Sequence, residues 1–142
     1  MTTQLTQHSE QEHGSETVTQ GVRVIVRPEY LPDQSTEGEP EYVFGYTVRI
    51  VNESDVPVQL VSRRWLIIDA SGDEHTVEGE GVVGRQPLIQ PGAGFEYSSF
   101  CPLRTLWGTM EGSYLMERDD STTFDAQVAR FYLVAHDTDD AD

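Results

Sequence analysis

The chain has no lysine. All nine of its basic residues are arginine, set against 25 Asp and Glu, so the 142 residues carry a formal net charge of −16. Such a surface repels nucleic-acid backbones and anionic lipid, and neither is expected as a partner. Without lysine, a Walker-type phosphate loop is excluded as well. Cysteine is nearly as scarce. Cys101 stands alone, so no intramolecular disulfide can form. It lies in "SSFCPL" among apolar and aromatic neighbours, the setting of a small buried hydrophobe rather than a nucleophile. No run approaches the ~20 apolar residues of a membrane span, and no apolar N-terminal stretch has the form of a signal peptide. These absences predict a soluble, cytoplasmic protein. The excess of carboxylates also suits high salt, where self-repulsion is screened, although compositional bias alone would give the same counts.

Hydrophobic content is low, at 37%. Polar ends account for part of this. Residues 1–16 lack periodicity and 137–142 read "DTDDAD", so both are expected to be disordered tails around one domain over 17–136. Within the domain the dominant period is two. In "EYVFGYTVRIV" (41–51), Tyr42, Phe44, Tyr46, Val48 and Ile50 share one face. In 21–31, Val22, Val24 and Val26 stand against Arg23 and Arg27. Residues 56–69, 95–100, 108–117 and 123–136 follow, the last with an apolar face that switches near Ala129 and so predicts a bulge. Turn chemistry separates the runs: "NESD" (52–55), "DASGDE" (69–74) with Gly72 suited to positive φ, "QPGAG" (90–94) with a Pro-Gly pair of type II form, and "ERDDST" (117–122). The pattern predicts an all-β antiparallel sandwich of the fibronectin type III or immunoglobulin kind, with about seven strands.

Against that background stands "VEGEGVVGRQPLIQPG" (77–92), in which Gly79, Gly81 and Gly84 spell G-x-G-x-x-G. A dinucleotide loop needs a helix after the glycines, whose N-terminus holds the pyrophosphate. Pro87 and Pro91 forbid that helix, and Glu78 and Glu80 would repel phosphate. The glycines are therefore read as serving the fold: Gly79 and Gly81 on a strand permitting close backbone approach, Gly84 at a turn with positive φ.

The same region carries a resemblance. "SRRWLIID", then "GEGVVGRQP", "PGAGFEY", "CPL" and "GTMEGSYLM" stand in order from Ser62 to Met116 and closely resemble the signature of the ApaG family. With the flanking strands, the likeness spans roughly 21–133. It implies a fibronectin type III-like sandwich and a link to cobalt and magnesium efflux. It further implies a domain that binds other proteins, as where it is appended to eukaryotic F-box proteins and to a polymerase-interacting protein. No catalytic residue is carried over from it. The sequence departs from the family pattern at Arg64, where histidine is usual before the Trp, and this puts any metal role of that position in doubt. It departs also at "TLWG" (105–108), which adds Trp107.

Other chemistry is sparsely supplied. His8 and His13 lie near Glu10 and Glu12 in the tail, where fixed metal geometry is not expected. Ser98 and Ser99 have no nearby histidine in sequence, and Asp119 and Asp120 sit on a turn. The expectation is a non-enzyme with no cofactor and no metal. It would recognise an unidentified protein partner, or a second copy of itself, through Gly79, Gly81, Val82, Val83, Gly84, Arg85 and Trp107. The alternative is a sensor that holds an anion, nucleotide or metal-nucleotide on backbone N–H groups of the glycine segment.

Overall fold

Alternating residues on β2 (Val22–Tyr30) and β3 (Tyr42–Asn52) bury one face apiece. Val22, Val24, Val26, Phe44, Val48 and Ile50 are all at most 1% exposed. These strands belong to a computed structural model that describes residues 13–34 and 41–135. Among the described residues there are nine strands: β1 (Ser15–Thr19), β2, β3, β4 (Val58–Asp69), β5 (Glu74–Glu80), β6 (Leu88–Ile89), β7 (Gly94–Leu103), β8 (Trp107–Arg118) and β9 (Thr123–Val134). They form two antiparallel sheets. One has the order β1-β2-β3-β7, and the other β5-β4-β8-β9 with β6 paired to β4. The all-β sandwich is thus as expected, with more strands than the seven foreseen. No helix of the described residues is long and apolar enough to cross a membrane.

The added strands are those with little apolar alternation. β1 begins at Ser15, inside the stretch expected to be disordered. Its residues are mostly polar, and pairing with β2 makes it a strand. Gln20 and Gly21 close a two-residue turn with φ of 49° and 84°, the geometry that matches strand twist. Ser15 Oγ then donates to Ala129 O at 2.7 Å, and Gln127 N donates to Thr19 Oγ1 at 3.1 Å, which fastens β1 across to β9 in the other sheet. The domain boundary therefore lies at or before Ser15 rather than at 17. The expectations for residues 1–12, 136 and 137–142 lie outside the described residues.

Two bulges decide which residues face inward. On β9 the register against β8 shifts between Met110/Phe131 and Gly112/Val128, so the extra residue falls at Ala129–Arg130, as predicted. The second was not foreseen. On β4, Leu60 pairs with Met116 while Ser62 pairs with Leu115, leaving Val61 as the extra residue. One inserted residue exchanges the two faces of everything beyond it. Val58 and Leu60 point inward before the bulge, Trp65 after it. Trp65 becomes the hub of the core. It makes edge-to-face contacts with Tyr46, Tyr114 and Phe131 at centroid distances of 5.6–5.9 Å, each worth about 0.5–1.5 kcal/mol beyond area burial.

One side of the sandwich is closed by β1 and β2 against β9. On the other side the edge strands β7 and β5 face one another across an open cleft.

Candidate functional site

Among the described residues, β5 is a sheet edge paired on one side only, with β4. All of its side chains are exposed except Gly79, which is half-buried. Its bonds to β4 alternate. Gly81 N donates to Val61 O at 2.8 Å, and Asp69 N donates to Asp73 O at 3.0 Å, at the two ends of the pairing. Odd-numbered residues of β5 therefore exchange their bonds with β4. Glu74, Thr76, Glu78 and Glu80 turn their N–H and C=O groups to the open edge. The even residues also share the outward face, which places three carboxylates there. Arg64 reaches Glu78, at 3.3 Å between two exposed side chains. The departure from the family histidine thus falls on a solvent-facing pair.

The glycine triplet resolves into three separate structural tasks. Gly79 pairs with Arg63, and a Cβ there would lie 2.8–2.9 Å from the Arg63 guanidinium. The absent side chain lets that guanidinium cross β5 and donate to Glu80 O at 3.2 Å and Gly81 O at 2.9 Å. Gly81 has left the strand with φ +64°, and a Cβ on it would meet Arg85 O at 2.2 Å. Val82 and Arg85 exchange both backbone bonds, at 2.8 and 2.9 Å, and the residues between them, Val83 and Gly84, have φ of 43° and 79°. This is a two-residue hairpin of the primed type, which takes Asn-Gly or Gly-Gly without strain. A β-branched valine with positive φ is an outlier. No helix follows the glycines: residues 86–87 lead directly into β6. The N–H groups of Gly81, Val82 and Arg85 are all bonded within the protein, so little of the segment is left to cradle an anion.

The predicted contact residues separate. Val82 is fully buried and belongs to the core; it offers no contact, because the hairpin turns it inward beneath Val83. Gly79 is covered by Arg63. Val83 is 56% exposed at the hairpin tip, with Arg85 beside it, its guanidinium 5.5 Å from the centroid of Phe95. Trp107 is exposed but distant. It adjoins Gly108, which pairs with Asp69, whereas the hairpin leaves β4 at Ser62, so about 23 Å of strand separates the two. Sequence reasoning set the glycine segment on an irregular strand near a sheet edge but missed that this strand runs from Glu74 to Glu80, and it missed Arg63. The edge gives no apolar alternation, and Arg63 was hidden because the bulge at Val61 left no visible mark.

Groups weighed for catalysis are engaged in the fold. Ser98 and Thr47 hydroxyls meet at 2.9 Å on the outer face, and Ser99 bonds Tyr46. Asp120 accepts from Thr122 N and Oγ1 at 3.0 and 2.6 Å, which holds its pKa below the ordinary value. Cys101 is buried, and desolvation pushes its thiol up to about 11. Of the tail histidines and acids, His8, Glu10 and Glu12 lie outside the described residues.

Comparison with known proteins gives consistent matches. The family model described as ApaG domain matches residues 32–118. A Protein ApaG from Anaeromyxobacter dehalogenans (strain 2CP-1) is 53% identical over 120 residues, covering 84% of this chain and 94% of that protein. A Protein ApaG from Anaeromyxobacter sp. (strain K) is 51% identical over 124 residues, covering 87% and 98%. A crystal structure of a protein from Bordetella pertussis superimposes with a TM-score of 0.76 at 45% identity, covering 80% of this chain and 92% of that one.

Proposed function

The chain belongs to the ApaG domain family, and on that footing we propose that it is a non-enzymatic interaction module, docking an extended segment of a protein partner on the free edge of β5. The observation that carries this reading is the row of outward N–H and C=O groups at Glu74, Thr76 and Glu78, continued by the N–H of Glu80, whose carbonyl is taken by Arg63. An edge of this kind forms a ladder with an added strand, and alternate side chains supply specificity. The outward carboxylates select a partner segment with basic side chains on the facing positions and oppose pairing of β5 with a second copy of itself. Val83 and Arg85 at the hairpin tip extend the contact. We take the module to act in divalent-cation homeostasis in the cytoplasm, as the resemblance to the ApaG family implies.

Two substitutions test the reading on an affinity-captured partner. Thr76→Pro removes an edge-facing N–H without touching the β4 ladder, since proline is tolerated at such positions. Arg85→Glu reverses the only charge on the tip. Each should weaken binding while a thermal melt shows the domain folded. Partner affinity unchanged in both would remove the β5 edge from consideration.

A further inference from the structure

The cleft between β5 and β7 is not used by the strand-docking reading. It has a volume of about 690 Å³, within the ~300–1,000 Å³ of small-molecule pockets. Inward residues of both sheets line it. Tyr46 and Trp65 contribute aromatic surface, and Ile67, Val77, Leu103 and Met110 aliphatic surface. Trp65 is 3% exposed, and among the described residues no group accepts the hydrogen of its Nε1. Indole nitrogen can only donate, and a buried donor without an acceptor costs about 1–3 kcal/mol. Arg63 lies on the same wall, held by the backbone at Glu80 and Gly81. Trp65, with its indole donor, and Arg63, with its guanidinium, therefore line one cleft beside apolar surface.

We infer that this cleft binds a small organic monocarboxylate with an apolar body. The carboxylate accepts from Trp65 Nε1 and pairs with Arg63, and the body packs on Ile67, Val77, Leu103 and Met110. A cation is disfavoured by the guanidinium and the indole donor. A polyanion is disfavoured by Glu41, Asp69 and Asp73, which share the lining with Arg104 and His75. The inference does not rest on the strand-docking reading, because its test uses no partner protein.

The two tryptophans make the site directly observable. In ¹⁵N-labelled protein each gives one indole N–H resonance, and Trp107→Phe identifies that of Trp65. Octanoate, 4-phenylbutyrate and indole-3-acetate serve as probes, with 4-phenylbutanol and acetate as controls lacking the charge or the body. At least one probe should move the Trp65 resonance downfield to saturation while that of Trp107 stays in place, and both controls should bind more weakly. Arg63→Gln should weaken binding about tenfold, the loss of one charge-assisted bond. Val77→Glu, at an exposed position on β5, should weaken it independently should Arg63→Gln loosen the hairpin. A Trp65 resonance unmoved by all three probes overturns the site. Binding by 4-phenylbutanol equal to that of 4-phenylbutyrate, or affinity unaltered in both variants, overturns the assignment of a carboxylate held by Arg63.

Discussion

The hydroxyls of Tyr97 on β7 and Tyr114 on β8 meet at 2.6 Å inside the core, where Tyr97 is 8% exposed and Tyr114 0%. This bond joins the two sheets on the side where β7 and β5 leave the cleft open. Replacing Tyr97 with Phe strands the Tyr114 hydroxyl without that partner. The cost should be about 2 kcal/mol, since an unsatisfied buried hydroxyl costs about 1–3 kcal/mol. For a domain of this size that is a fall of about 6–8 °C in Tm. The double variant Y97F/Y114F removes both polar atoms and leaves nothing unsatisfied, so it should lie within about 1 kcal/mol of wild type. The order is the test: the double variant should be more stable than Y97F alone. Urea midpoints and calorimetric melts of the single and double variants read it. Costs that simply add in the double variant would refute the reasoning and reduce the pair to ordinary packing.

Three further outcomes follow from the same structure. Val83→Asn relieves a β-branched residue at φ +43°; with little burial to lose it should stabilise by about 0.5–1 kcal/mol, seen as a higher Tm, while weakening partner capture if Val83 is retained for contact. Burial raises the ionisation of Tyr97, Tyr114 and Cys101 above their ordinary values. The unfolded chain therefore releases these protons first, stability is fully present below about pH 9, and denaturant midpoints should decline as pH rises past 10; a flat profile to pH 11 would contradict the burial of these groups. With 25 acids against nine arginines, and Arg23 already holding both Glu16 and Glu53 at 2.6 and 2.7 Å, repulsion should outweigh exposed pairing. Tm should then rise from low to molar NaCl by screening, and a Tm insensitive to salt would count against this balance.

Much of the domain was legible in the chain because strand alternation is a local property. Each of the runs at 41–51 and 123–136 carries its buried face in its own letters, including the switch at Ala129 that marks a bulge. Turns were legible for the same reason: Gly72, Gly84 and Gly92 all take positive φ, and Ala93 N closes on Gln90 O at 2.9 Å around Pro91 and Gly92. The prolines after the glycine triplet were enough to deny it a helix. Strand β1 and the extent of β5 were not legible, because an edge strand with a polar face has no alternation to display and owes its form to the neighbour it pairs with.

The sequence by itself therefore determined the fold class, the family and the turn positions, all of which rest on spacing within short stretches. Only the tertiary structure decided what faces what. The extra residue at Val61 exchanges the sides of β4, sending Trp65 and Arg63 inward and Arg64 out to Glu78. The hairpin at Val83 and Gly84 turns Val82 into the core and leaves Arg85 outside. Both outcomes depend on the register between strands that are distant in the chain, and register is set by how the two sheets close around a common core.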